Sequence, residues 1–435
     1  MYAGHLPVDT TTADSPTIRK GRKLFYWMVR AGDENGEPHA SDGLSTPPSN
    51  SKLPPLLIWL NGGPACSSMD GLFIENGPVK VSMNGESFTV TPNEYSWHKA
   101  GLNVVYIDQP VGTGLSFLSS TTQYGGYPTN DAAVNKDFYG FLLNFLDLHD
   151  DLKGRELWFS GESHAGHYIP SMMDYIMEEN AKLEGGEAND KFINLAGAAI
   201  GNGWTSPIHQ YSASTKGWAN GMISIDQKNK IDSAEKTCAN LLNAGSYDNH
   251  VCFALMDDII DGSASQKGGK SSIYDDRIFG KDVHDPFPPG HATVEHYLAP
   301  HSETLPFIHA GQATTAGQVY KECTDPPWYA LKHQDGLGVL GNVENLLNHA
   351  SKPLMLFYNG MNDIICHHFG NERFLFALDN WPGVGGFKSS SSYGFGAAKK
   401  NFETLSWNGT WQIRVLGGAI RVAREPRCQH FLLES

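Results

Sequence analysis

The sequence predicts a doubly wound α/β fold, with a mostly parallel sheet and a helical cap insertion, and three observations predict it. Six short apolar runs, each bounded by Gly, Pro, Asn or Asp, recur along the 435 residues. Residues between them carry helical periodicity, and one long stretch in the second half breaks that rhythm.

The runs are "RKLFYWMVR" (22–30), "LLIWL" (56–60), "NVVYID" (103–108), "ELWFSG" (156–161), "INLAGAAIG" (193–201) and "PLMLFYN" (353–359). Continuous apolar runs, unlike alternating ones, fit strands buried on both faces. Between the third and fourth runs, Val134, Phe138, Phe141, Leu142 and Phe145 fall on one face of a helix over 131–147. After Trp204 residues 208–262 read as helices, and 262–316 is rich in Gly, Ser, Pro and His without a period. The expected organisation is therefore residues 1–204 as the first part of the sheet domain and 205–316 as the cap. Residues 317–435 form its second part, with an atypical tail from about 412. No internal repeat occurs.

Composition narrows the function. A formal charge of −15, from 32 basic and 47 acidic side chains, disfavours nucleic acid or an anionic membrane as the main partner and favours cationic ligands. No run of about 18 apolar residues is present, so no membrane segment is read, and the N-terminus "MYAGHLPVDTTTADSP" shows no signal peptide. The six cysteines, Cys66, Cys238, Cys252, Cys323, Cys366 and Cys428, make no CxxC pair. Their spacing is equally compatible with disulfides and with buried thiols.

The chemistry is concentrated at "WFSGESHAGHYIP" (158–170), where a strand runs into Ser163 and then into a helical pattern. A serine raised on a strained strand-to-helix turn needs small neighbours, which Gly161, Ala165 and Gly166 supply, although the usual pattern has Gly where Ala165 stands. "WLNGGPACSSMDGLFIENGP" (59–78) follows another strand with consecutive glycines. Gly62 and Gly63 there are candidate oxyanion donors, because backbone N–H groups reach a ligand only where side chains are absent. The N–H of His164, the residue after the serine, is the second donor.

"NGGPACSS", "IDQPVGTGLSF" (107–117), "GESHAGHYIP", "IGNGWTSP" (200–207) and "NGMNDIICHHFGNE" (359–372) together resemble the serine carboxypeptidases, an α/β-hydrolase family. "MYAGHLPV", "SSMDGLFIENGP" and "CTDPPWYAL" (323–331) are most similar to the fungal carboxypeptidase D type. The resemblance implies release of C-terminal residues from peptides or proteins without a cofactor, in the secretory pathway (Golgi or vacuole) or after secretion. It implies Ser163 as nucleophile and Asp363 as the acid that orients the base, in the chain order Ser then Asp of these hydrolases. Asn61, Glu75 and Glu162 are implied to bind the substrate's terminal carboxylate, the two glutamates sharing a proton because adjacent buried carboxyls resist joint ionisation. An acidic working pH follows. A preference for C-terminal Lys or Arg is implied, with Asp70 and Asp174 as candidate pocket acids. The resemblance further implies pairing of Cys66 with Cys323 and Cys238 with Cys252, and a free thiol at Cys366 lining the site; Cys428 is unassigned. Asn408-Gly-Thr410 is a glycosylation acceptor if the protein is secreted.

A serine hydroxyl needs a base, and the family's Gly-His-Met-Val-Pro type loop is missing. From about 412 the chain reads "IRVLGGAIRVAREPRCQHFLLES", where the resemblance ends. His430 is the one histidine after His368, at 430 − 363 = 67 residues past Asp363, and is the candidate base. His164, beside the nucleophile, and His167, one turn on, are poorer ones. His367 and His368 lie near the acid, but no third ligand has a sensible spacing, so zinc is rejected. The tail reads as a different frame or a retained intron, and with the Met1 start it suggests a chain altered at both ends. The alternatives are an inactive homologue that binds peptide C-termini, and an acyltransferase using the same triad.

Overall fold

The computed structural model describes residues 1–9, 21–32, 53–84, 87–119, 126–267, 269–280, 291–299 and 310–385, together with the backbone of 428–433. The chain divides into two compact units. The first comprises Met1–Gly161, Ser171–Ala198 and Gly290–Leu331; the second comprises Glu162–Pro170, Ala199–Pro289 and Lys332–Ser435.

In the first unit the central strands are β1 (Tyr2–Pro7), β2 (Arg22–Val29), β3 (Leu56–Leu60), β6 (Asn103–Asp108) and all but the last two residues of β8 (Leu157–Ser163), Glu162 and Ser163 being assigned to the second unit. Their order is β1-β2-β6-β3-β8, followed by β9 (Leu195–Gly203). β3 runs parallel to both β6 and β8, whereas β1-β2 and β2-β6 are antiparallel. All five residues of β3 and all six of β6 are buried, which is why those runs are apolar without alternation. The hairpin β4 (Val79–Asn84) and β5 (Ser87–Pro92) stands apart from this sheet. One short strand, β7 (Phe117–Leu118), pairs with β2.

Helix α1 (Asp131–Leu148) carries the predicted apolar face: Val134, Phe138, Phe141, Leu142 and Phe145 are all buried. Its cap, the Asn130 side chain accepting from the Ala133 N–H at 2.9 Å, is worth about 1 kcal/mol. Each buried aromatic or aliphatic side chain contributes about 1.5–3 kcal/mol, so packing and not capping places the helix. On the other sheet face Phe25, Trp27, Leu57, Trp59, Leu72, Phe73 and Tyr106 form a continuous core.

In the second unit β9 and β12 (Leu354–Gly360) are neighbours, and β12 pairs antiparallel with β13 (Cys428–Leu433). The helices that the sequence predicted over 208–262 are Pro207–Gln210, Ser214–Ala219, Ile225–Asn243 and His250–Lys267. Ile225–Asn243 starts with a reciprocal capping box between Ser224 and Gln227. The Cys238–Cys252 disulfide joins it to the next helix, closing a loop of a size worth about 3 kcal/mol. Trp204, Tyr211, Ile223, Ile259, Ile260, Ile364 and Cys366 make this unit's core.

The fold is α/β-hydrolase-like, with a mixed, mostly parallel sheet flanked by helices. Its parallel centre matches the apolar runs, and its antiparallel margins were not among the expectations. Residues 262–316, read as aperiodic, contain the helices His291–Tyr297 and Gly311–Thr315 and the ribbon β10 (Lys270–Ser271) with β11 (Phe279–Gly280). These pieces are too short for a period to show. Among the described residues no helix is long and apolar enough to cross a membrane.

Candidate active site

Ser163 ends β8 with φ +55°, a left-handed conformation that costs a residue with a Cβ about 1–2 kcal/mol. Helix α2 (Ala165–Ala181) begins two residues later. The close approach that holds this turn is made by glycines. A Cβ on Gly166 would lie 2.7 Å from both the Gly203 Cα and the Trp204 N, and the Trp204 N–H donates to the Ser163 carbonyl at 2.7 Å. Gly166 therefore lets the start of α2 sit against the end of β9. Ala165 has 0% exposure, so the position where the pattern usually has Gly is filled without leaving a gap.

Asp363 follows β12 in the same unit, 8% exposed. Its Oδ1 accepts from the Ile365 and Cys366 N–H groups at 2.8 and 3.1 Å, and its Oδ2 accepts from the Asn202 side chain at 2.9 Å. Burial pushes its carboxyl up to about 7 against those three donors. Asn202 was not singled out from the sequence, although it lies in the motif "IGNGWTSP". It too has a positive φ, +40°, and its Oδ1 accepts from the Gly360 N–H at 2.7 Å. One side chain at the end of β9 thus ties down both the end of β12 and the acid.

Cys366 is a buried free thiol. Burial and the Asp363 charge push it well up, so it stays protonated, within hydrogen-bonding reach of the Ser163 hydroxyl. It is no competing nucleophile, since the thiolate is the reactive form.

The histidines separate clearly. His367 uses both ring nitrogens, Nε2 at 2.9 Å from the Gln210 carbonyl and Nδ1 accepting the Gly370 N–H at 3.0 Å, and burial lowers its pKa to about 3. It caps the helix His368–Phe376. Burial lowers His368 to about 4. His164 stacks on His167 with ring centroids 4.9 Å apart, and its Nδ1 lies 3.8 Å from Asp335 Oδ1. Among the described residues the hydrogen-bond donors to Asp363 include no histidine. The backbone of His430 pairs opposite Tyr358 in β12. Asn408 and Thr410 lie outside the described residues.

The first unit holds the other motif. Asn61, directly after β3, is 6% exposed. Its Oδ1 accepts from Trp59 Nε1 at 2.7 Å and from the Gly71 N–H at 3.2 Å, while its Nδ2 donates to Glu75 Oε1 at 3.1 Å. Two N–H donors on one amide atom settle which is oxygen, so the amide presents its NH2 toward Glu75. Gly71 is required here, because a Cβ would stand 2.1 Å from Trp59 Nε1. Glu75 ends a five-residue π-helical turn, Gly71–Glu75, of the kind that recurs at functional sites. Trp59 and Gly71 escaped the sequence reading. The pairing of Trp59 with Asn61 two residues on was its only available signal.

Gly63 is exposed with φ +113°, and a Cβ there would lie 2.6 Å from the Ala65 and Cys66 N atoms. The Cys66–Cys323 disulfide follows at once. Asp70 is 2% exposed and Asp174 is half-buried on α2. At the end of β6, Asp108 accepts from the Ser67 hydroxyl at 2.6 Å and from the Ser68 and Leu115 N–H groups at 3.0 and 2.8 Å, and burial pushes its carboxyl up to about 7.

Comparison with known proteins gives the family. The serine carboxypeptidase family profile matches residues 1–416, so His430 lies beyond the match. A pheromone-processing carboxypeptidase KEX1 of Phytophthora infestans is 32% identical over 381 residues, 85% of this chain and 58% of the relative. Serine carboxypeptidase S10 family member 2 of Dictyostelium discoideum is 34% identical over 396 residues, 87% of this chain and 65% of the relative. The chain thus spans about three fifths to two thirds of the length of these two relatives. The crystal structure of a prohormone-processing carboxypeptidase from Saccharomyces cerevisiae superposes with a TM-score of 0.70 at 25% identity, covering 88% of this chain and 77% of that one. The strained serine elbow, the glycine-rich turn and the acid after β12 all fall inside the matched residues, and this chain belongs to the serine carboxypeptidase family.

Proposed function

We propose that this protein is a serine carboxypeptidase that removes C-terminal residues from peptides through an acyl-enzyme on Ser163. The observation that carries the proposal is the strained Ser163 elbow in the same unit as the buried, triply hydrogen-bonded Asp363. In this reading Ser163 attacks the scissile carbonyl, and the Gly63 and His164 N–H groups receive the oxyanion. Asp363 orients the base and stabilises it when protonated. His430 is the proposed base. Water then releases the acyl group.

Recognition of the substrate's terminal carboxylate is assigned to Asn61, Glu75 and Glu162. The fixed direction of the Asn61 NH2, set by the two N–H donors on its Oδ1, supports this, because a carboxylate needs a donor. Processing of peptides is proposed from the relatives named pheromone-processing and prohormone-processing, and a preference for C-terminal Lys or Arg, in the secretory pathway, from the resemblance of the motifs and the formal charge of −15. Asp174 suits a pocket role better than Asp70, whose 2% exposure leaves little to offer a substrate.

Two titrations oppose each other in the pH profile. A shared glutamate proton favours low pH, whereas Asp363, with its carboxyl pushed up to about 7, gains its charge only as pH rises. A protonated base beside Asp363 reverses the second effect by attracting the carboxylate. That cation is the one formed as the base takes the Ser163 proton, so activity at acidic pH requires a base still neutral in the free enzyme. The test is kcat/KM against pH for a peptide and its C-terminal amide, in wild type and His430→Ala. Selectivity for the free acid below pH 6, lost with His430, supports the reading; equal rates for acid and amide at every pH would sink it.

A second reading is an inactive relative that binds C-termini. It is favoured by the sequence itself, in which the Gly-His-Met-Val-Pro type loop is missing and His430 stands in "RCQHFLLES" instead. Peptide binding without turnover, unchanged in His430→Ala, is its signature.

A further inference from the structure

We infer that Lys216 is a positioning residue for the proposed reaction: it clamps the loop that follows β12 and sets its positive charge behind Asp363. This rests on the proposed role of Asp363 as the triad acid. Lys216 lies in the short helix Ser214–Ala219 and is 1% exposed, a burial that lysine reaches only with its ammonium paired. Its Nζ donates to Asp276 Oδ2 at 2.9 Å and to the Met361 carbonyl at 2.8 Å. Asp276, 6% exposed, also accepts from the Asn220 side chain and gives its own N–H to the Asn362 carbonyl at 3.0 Å. The Ile364 N–H donates to the Ile273 carbonyl at 2.9 Å. Residues 361, 362 and 364 are thereby strapped to Lys216 and to the segment 273–276, with Asp363 in the middle of the straps.

A neutral side chain of the same length could fill the space and donate once. What the ammonium adds is charge. Asp363 is faced by the Asn202 amide, the Ile365 and Cys366 N–H groups, the Cys366 thiol and the Lys216 charge, and Lys216 holds its carboxyl below where burial alone would leave it. Cys366 in turn faces Asp335 and Glu162. His368 shares the surroundings of Lys216 and Asp276, but burial and the Lys216 charge lower it to about 4, so it brings no second cation above that pH. Among the described residues, Lys216 is thus a cation that favours the ionised form of Asp363 before any substrate or protonated base is present.

The experiment uses the full chain with 13Cγ-labelled aspartate, the Asp363 resonance being assigned through Asp363→Asn. Two neutral pairs, Lys216→Gln/Asp276→Asn and Lys216→Met/Asp276→Leu, remove the charge without leaving its partner ionised and buried. The expected result is an Asp363 titration midpoint about one pH unit higher in whichever pair folds. At pH 5 the rate of Ser163 phosphonylation should fall about tenfold in parallel. A folded pair with an unshifted midpoint overturns the inference. Failure of both pairs to fold, judged by near-UV circular dichroism, assigns Lys216 to the fold at large and overturns it as well. Failure of the underlying reading is distinct: Ser163 labelling in the otherwise wild-type chain would then be indifferent to Asp363→Asn.

Discussion

The Asn61 cluster and the Asp363 cluster solve the same problem, fixing a polar side chain after a buried strand, by opposite means. Around Asn61 the hydrogen bonds span 2, 10 and 14 residues. Around Asp363 the Asn202 side chain reaches across 161 residues to the acid and 158 to Gly360. A cluster closed within one turn of chain depends on local glycine geometry. A cluster closed across the fold depends on β9 and β12 lying side by side. The first should fail through a single bad contact, and the second through loss of charge or register.

Asp363→Asn gives the largest expected effect. The amide keeps the shape but offers an N–H where a base needs an acceptor, and loss of such an acid costs about 10⁴-fold in kcat. The fold should survive at a cost of about 1–3 kcal/mol, because burial already disfavours the charge but the new NH2 meets a donor where Asp363 accepted one. Parallel measurement of kcat and of the thermal midpoint checks both halves. A drop in stability with little change in kcat would place Asp363 in the scaffold.

Gly71→Ala is the matching probe of the local cluster. A Cβ 2.1 Å from Trp59 Nε1 must displace the indole or the Asn61 amide, at about 1–3 kcal/mol of overpacking. The expected signature is a KM for free-acid peptides raised about tenfold or more, corresponding to about 1.4 kcal/mol of lost binding, with kcat changed less. Equal losses on acid and amide substrates would separate Asn61 from carboxylate recognition.

The smallest effect concerns Asp108, which holds Ser67 and Ser68, the latter accepting the Asn61 N–H. Its folded-state carboxyl is pushed up to about 7 by burial, above the ordinary value near 3.9 of an unfolded chain. The folded protein therefore binds this proton more tightly. Its contribution to stability is complete below about pH 4 and is lost as pH rises through about 7, by at most roughly 4 kcal/mol. In Asp108→Asn the decline of the thermal midpoint from pH 5 to pH 8 should be smaller than in wild type by a few degrees, readable by scanning calorimetry at several pH values. Identical slopes would contradict the assignment.

What could be read from the sequence follows the same division. The runs 22–30, 56–60, 103–108, 156–161, 193–201 and 353–359 all became strands, because burial on both sheet faces writes itself as a continuous apolar string. Helix 131–147 was equally visible from its spacing. β1 was not, since "YAGHLP" has only one fully buried position and pairs through its backbone at the sheet margin. In the site, Ser163, Gly63, Asn61 and Glu75 stood in quotable local motifs. Asn202 and Lys216 did not stand out, because what they do depends on partners 60 to 164 residues away. Lys216 in particular looks like any helical lysine until its 1% exposure is known.

The most direct test of the central claim is to expose the folded chain to a fluorophosphonate probe and map the adduct by mass spectrometry, alongside Asp363→Asn. The account predicts a single adduct on Ser163, formed about a thousandfold or more faster than in Asp363→Asn. No adduct on the folded chain, or an adduct whose rate ignores Asp363, would contradict it.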